Sequence, residues 1–298
     1  MKNTELIAFK HNVYSQFGED GVIHEILKKL PGRDKWCVEF GAWDGIFLSN
    51  VRQLIKEENY ASVLIEGSKK KFNELEANYQ EFSNVTVLNS MVGLEGKYCL
   101  DSILKDTKIP SDFDFLSIDV DGIDYHIWES IHVYNPKVVC IEFNQTIPTE
   151  VSYTQPADPS ISHGSSLLSM TKLGKAKGYE LVCVLRCNAF FVKKKYFNLF
   201  SIEDNSPHAL RSTTEDVTYL FVGYNGEVLL QGCERLIWHG DLKLRAKKLQ
   251  ILPNFLLKFP SNYNILQRAL WLIFVFIERF SQNPVRALKK ILGKIRNV

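Results

Sequence analysis

Between residues 36 and 143 the chain alternates short apolar runs with longer amphipathic ones, and this alternation restricts the fold more than any other feature. The apolar runs 36–40, 62–66, 85–88, 115–120 and 138–143 are rich in Val, Ile, Leu and Phe. Runs so short and so uniformly apolar suit strands covered on both faces. Helical patterns fill the gaps at 48–58, 69–79, 100–105 and 125–134. An earlier helix opens at Asp20, with Val22, Ile23, Ile26, Leu27 and Leu30 on one side and Pro31-Gly32 as its stop. Strand and helix repeated in this way predict an α/β fold with a doubly wound, mostly parallel, Rossmann-like sheet, whose ligands bind at the carboxyl ends of the strands. The stretch 146–166 is rich in Pro, Ser and Thr and has no period, which predicts a long loop over the site. Beyond it, 167–177 reads as a helix, and 180–185 with 189–193 as an antiparallel closing pair. Residues 195–240 carry no clear pattern.

Composition matters at three points. With 298 residues, 45 % of them hydrophobic, the chain can bury a large core and is not disordered as a whole. Its six cysteines, at 37, 99, 140, 183, 187 and 233, are scattered, and several lie in apolar runs. They read as reduced core thiols of a cytoplasmic protein, and a zinc site at Cys183 and Cys187 is not expected, because no second motif accompanies them. The start lacks the apolar core of a signal peptide, and no run approaches the roughly 18 apolar residues of a membrane span.

Charge divides the chain. Residues 1–240 carry 24 Lys/Arg against 32 Asp/Glu, whereas 241–298 carry 12 against 2. The expected organisation is therefore one domain over 1–240 and a basic helical C-terminal tail over 241–298. Within the tail, the apolar run 269–277 precedes Val285, Leu288, Ile291, Leu292 and Ile295 at helical spacing, with Arg286, Lys289, Lys290, Lys294 and Arg296 among them. A basic amphipathic helix beside a Trp/Phe-rich run suits an anionic membrane surface, so peripheral contact through 265–298 at the inner membrane face is expected. The alternative is a helix pair packed on the domain or on a second subunit. Nucleic acid is not an expected partner, since the tail is aliphatic rather than interleaved with stacking rings.

The first strand runs into Val38-Glu39-Phe40-Gly41-Ala42-Trp43-Asp44-Gly45. Glycines at the mouth of a strand let the backbone turn sharply and approach a ligand without a Cβ in the way. Glu66 ends the second strand, where an acid can accept hydrogen bonds from both ribose hydroxyls of a nucleoside. Glu39 and Asp44 would repel a pyrophosphate but attract the amino and sulfonium groups of S-adenosylmethionine. That argues against the first alternative, an NAD-dependent oxidoreductase; the second is a non-catalytic binding module.

These residues, with Leu64-Ile65-Glu66, Phe115-Leu116-Ser117-Ile118-Asp119-Val120-Asp121-Gly122 and the upstream Ser15-Gln16-Phe17-Gly18-Glu19-Asp20, resemble FkbM-type methyltransferases over residues 12–195. The resemblance implies S-adenosylmethionine as cofactor and a hydroxyl of a sugar as acceptor, within a bacterial surface glycan or its precursor. It also implies that Glu39, Gly41 and Gly45 line the methionine moiety, Glu66 the ribose, and Asn89, Ser90 and Met91 the adenine.

Methyl transfer from a sulfonium is an in-line displacement, so the protein's tasks are to position the acceptor and take its proton. Three readings of the residues after the fourth and fifth strands stay open. Asp119, Asp121 and Glu142 are a hard-oxygen set suited to Mg²⁺, which would lower a hydroxyl pKa. His126 or His163 suits a metal-free general base. In the plainest reading Asp119 contacts cofactor, while Asp121 and Asp124 cap the helix that starts near Tyr125.

Overall fold

The computed structural model describes residues 5–282. Two compact units divide between Thr214 and Glu215, earlier than the 240/241 boundary expected from charge.

The first unit contains β1 (Trp36–Phe40), β2 (Ala61–Glu66), β3 (Val85–Asn89), β4 (Phe115–Ile118), β5 (Val138–Glu142), β6 (Tyr179–Val184) and β7 (Asn188–Lys193). Its helices are α1 (Glu19–Lys29), α2 (Arg52–Glu58), α3 (Lys69–Tyr79), α4 (Leu100–Leu104), α5 (Asp124–Ser130), α6 (Leu167–Ala176) and α7 (Pro207–Leu210). The seven strands form one sheet in the order β3-β2-β1-β4-β5-β7-β6. β1 to β5 are parallel neighbours, and β7 runs antiparallel to both β5 and β6. The expected fold class, with its closing antiparallel pair, is therefore present.

Side chains alternate across the sheet. Val38, Phe40, Val63, Ile65, Leu116, Ile118, Val139 and Ile141 enter one buried cluster, where Trp128 packs on Tyr179 and Phe191 at ring distances of 5.7 and 5.0 Å. Cys37, Leu64, Phe115, Val138 and Cys140 enter the other, beneath α1, α2 and α3. All six cysteines are free, and five are buried.

Two elements differ from expectation for local reasons. The helix expected from 48 begins at Arg52, because Leu48 adopts a left-handed backbone (φ 59°) and Ser49 Oγ accepts from the Arg52 amide at 3.1 Å. The strand expected to reach 120 ends at Ile118, because the Asp124 carboxylate takes the Val120 amide out of the ladder. The stretch 146–166 is a loop, as expected, with no strand or helix in it.

The second unit holds two antiparallel pairs, β8 (Thr218–Val222) with β9 (Val228–Gly232) and β10 (Arg235–Leu236) with β11 (Leu242–Lys243), followed by α8 (Ala246–Leu249) and α9 (Ile265–Gln282). The helical pattern at 285–295 lies outside the described residues. No helix among the described residues is long and apolar enough to cross a membrane.

Candidate functional site

Parallel register aligns the strand ends. Glu66 pairs with Asn89, Phe40 with Ile65 and with Ile118, and Ile118 with Ile141. One residue further along, Asn89, Glu66, Gly41, Asp119 and Glu142 form a single row across the carboxyl edge of five strands. At the ~4.8 Å spacing of neighbouring strands the row is roughly 19 Å long. It brings together five of the residues singled out in the sequence.

Glu66 is held by the loop it faces. Its Oε2 accepts from the Trp43 amide at 2.8 Å and its Oε1 from the Ser68 amide at 2.6 Å. Each carboxylate oxygen has about two acceptor positions, so one on each remains for a pair of vicinal hydroxyls. Helix α3 pins the same loop, with Asn78 Nδ2 donating to the Asp44 carbonyl at 2.9 Å and Tyr79 Oη to the Gly45 carbonyl at 2.6 Å. Gly41 and Gly45 both have positive φ, and both are crowded by protein. A Cβ at Gly41 would come within 2.1 Å of the Asp119 carbonyl oxygen, and one at Gly45 within 2.4 Å of the Tyr79 ring. The loop's glycines thus serve close packing of the β1, β4 and α3 ends. Ser90 follows β3, its hydroxyl donating to the Met91 carbonyl, and Met91 is exposed with its sulfur beside Gly67.

The structure revises the electrostatic reading of the two loop acids. Glu39 is buried, accepting from Ser49 Oγ at 2.6 Å and from the Asn50 amide at 2.7 Å, and Asn50 continues to Ser117 on β4 at 3.0 Å. Burial pushes its carboxyl up to about 7, against the lowering effect of those two hydrogen bonds. Asp44 accepts from the Ile46 and Phe47 amides, as a turn-forming aspartate does. Both acids therefore hold the loop in shape, and the attraction they were expected to exert on a cationic ligand does not follow from their positions.

At the other end of the row, oxygens of Asp119, Asp124 and Glu142 lie within 4.8 Å of one another. Asp121, expected in this group, is exposed with a left-handed backbone (φ 57°), and Asp124 stands in the cluster instead. Both Asp124 oxygens are already bonded, to the Val120 and Gly122 amides at 2.8 and 2.9 Å. Burial lifts its carboxyl to about 6 despite these bonds. Burial also raises Asp119 and Glu142, with the neighbouring carboxylates adding to the rise, and the two share a hydrogen bond. Such a pair retains one proton between them near neutrality. A shared proton thus compensates the crowded charge of Asp119 and Glu142.

The histidines separate. His126 Nε2 lies 2.8 Å from the Gln155 carbonyl and Nδ1 3.5 Å from Glu129, so its ring clamps the 146–166 loop. His163 is exposed, and its Nδ1 lies 2.8 Å from Tyr153 Oη. Tyr153 and His163 line an open cavity of about 460 Å³ with Asn144, Ile147, Val151 and Ser162. Asn144 sits two residues past Glu142, and its Nδ2 donates to the His163 carbonyl at 2.7 Å. Sequence reasoning missed Tyr153 and the cluster role of Asp124; only the spacing Asp119-x-Asp121-x-x-Asp124 hinted at the latter.

No family model and no curated protein matches this sequence. Among solved structures, the chain is similar to the N-terminal domain of EvdMO1 with SAH bound, at 11 % identity over 59 % of this chain and 80 % of that one, TM-score 0.41. It is also similar to the CMeT domain of the citrinin polyketide synthase, at 10 % identity over 58 % and 50 %, TM-score 0.41. A SAM-dependent methyltransferase from Aquifex aeolicus matches at 12 % identity over 64 % and 97 %, TM-score 0.36. Likeness at this level assigns no chemistry to the chain.

Proposed function

We propose that this protein is an S-adenosylmethionine-dependent O-methyltransferase whose acceptor is a sugar hydroxyl of a bacterial surface glycan or its precursor. The observation that carries the reading is the row Asn89–Glu66–Gly41–Asp119–Glu142, whose shared strand edge supports a ribose contact at Glu66 and proton transfer at the Asp119–Glu142 pair. The order β3-β2-β1-β4-β5-β7-β6 departs from the 3-2-1-4-5-6 arrangement of dinucleotide-binding sheets by an inserted antiparallel strand, which weighs against the oxidoreductase alternative.

The donor set fits the cofactor at Glu66, with its two remaining acceptor positions, and at the neighbouring Asn89, Ser90 and Met91. When bound, S-adenosylmethionine supplies an electrophilic methyl group. Asp119, held by its hydrogen bond to Glu142 and with its carboxyl raised to about 8 by burial, accepts the proton of the acceptor hydroxyl in its ionised form, so turnover is expected to rise with pH through that value. Asn144, Tyr153, Ser162 and His163 offer the sugar polar partners in the adjoining cavity. His126 positions the loop rather than taking a proton. This reading needs no Mg²⁺, since a proton held between Asp119 and Glu142 already compensates their crowded charge, and turnover is expected to survive EDTA. Peripheral membrane contact through residues 265–298 belongs to the same reading, since it would bring the site to a lipid-linked acceptor.

Calorimetric titration with S-adenosylhomocysteine and with NAD⁺ tests the core of this. Micromolar binding of the former, weakened roughly tenfold or more in Glu66→Ala by loss of charge-assisted hydrogen bonds, is expected. Binding of NAD⁺ alone would transfer the site to the oxidoreductase class.

A further inference from the structure

From Leu242 to Ile277 the second unit carries six basic residues, Lys243, Arg245, Lys247, Lys248, Lys258 and Arg268, and no Asp or Glu. All six are exposed. Among them stand large apolar side chains open to solvent, Ile251 at 66 %, Phe255 at 51 % and Phe259 at 52 %. They lie in turns and short 3₁₀ segments between α8 and α9, not in a sheet or helix that a core would cover. Helix α9 adds a stripe at i, i+4, i+7 and i+11, formed by Leu266, Leu270, Ile273 and Ile277, every member exposed. Apolar exposure on this scale marks a surface that another phase or molecule covers.

The charge identifies the cover. A two-fold interface would set this patch against its own copy, and a uniformly positive surface opposes itself there. Nucleic acid would gain from the cations but leave Ile251, Leu266 and Ile273 unmatched. An anionic lipid surface satisfies both, since phosphate headgroups take the Lys and Arg while the acyl boundary takes the aromatic and aliphatic tips.

We infer that the segment 243–259, and not only the C-terminal helical region, is a lipid-contact surface in which Phe255 and Phe259 insert among anionic headgroups held by Lys243, Arg245, Lys247, Lys248 and Lys258. The inference rests on the membrane reading above for its setting but stands on different residues, and it is independent of methyl transfer.

The test is co-sedimentation of the full chain with vesicles of phosphatidylcholine alone and with about 30 mol % phosphatidylglycerol. Partition into the anionic vesicles is expected, lost at high salt. Lys247→Glu with Lys248→Glu should weaken it roughly tenfold or more, while Lys247→Arg with Lys248→Arg retains it. Phe255→Ser with Phe259→Ser should weaken it by at least roughly tenfold, with S-adenosylhomocysteine titration of each variant unchanged from the parent. Equal partition into both vesicle types overturns the inference. If these variants bind as the parent does while Leu270→Ser with Ile273→Ser abolishes binding, the inference falls and the helix-only reading stands. No binding by the parent ends both, and a dimer in light scattering that Phe255→Ser with Phe259→Ser dissociates would identify a second copy as the cover.

Discussion

A buried carboxyl at Glu39 has a measurable signature. Its folded pKa, about 7, lies above the ordinary carboxyl value of 4.5. Between those two values the folded state holds a proton that the unfolded chain releases, so stability falls as pH rises through that window. Glu39→Gln keeps an acceptor for the Asn50 amide and carries no titration. Relative to the parent, the variant should gain stability between pH 5 and 7, by on the order of 2–3 kcal/mol. Urea denaturation at the two pH values measures the difference; a constant difference would mean that Glu39 is ionised within the fold. The position of Glu39 was legible in the sequence, but its role was not. An acid beside a glycine loop reads as a ligand group until Ser49 and Asn50, which sit ten and eleven residues on, are seen folding back over it.

The elements were more legible than the residues. β1 falls at 36–40 as expected, α3 at 69–79, and the remaining strands of the sheet within a few residues, because period and apolar run length are local properties. Connections made by one side chain across many residues were not. The Asp20 Oδ2 atom accepts from the amides of Val13, Tyr14 and Ser15, each at 2.8 Å, and from Ser15 Oγ at 2.7 Å, folding residues 12–20 into a cap on α1. Asp20→Asn weakens up to four charge-assisted bonds at once and should cost roughly 3 kcal/mol. Thermal melting should show a drop of the order of 6–12 °C for a unit of this size. In the loop after β1, Gly41→Ala combines a left-handed φ of 70° with a contact of 2.1 Å to the Asp119 carbonyl. It should destabilise by roughly 3 kcal/mol or more and remove S-adenosylhomocysteine binding, because Asp119 has to move. A Gly41→Ala protein that melts and binds like the parent would mean the edge is looser than described.

For the whole molecule, every residue of the edge row lies within Met1–Thr214. A chain ending at Thr214 should bind S-adenosylhomocysteine within about threefold of the full-length affinity, while losing all partition onto anionic vesicles; calorimetry and sedimentation on the same sample check both. The charge step at 241 comes later than the division of the fold at 214/215, and β8, β9 and β10 lie in the stretch 195–240 that carries no clear sequence pattern. At the opposite end of the chain, Glu19 is fully buried, taking the Gln16 and Phe17 amides on one oxygen and Asn188 Nδ2 on the other. Asn188 is the register partner of Glu142. Residues 16–19 therefore brace β7 where it pairs with the end of β5, and a chain beginning beyond Glu19 would keep every strand of the sheet yet lose the carboxylate that holds Asn188 opposite Glu142.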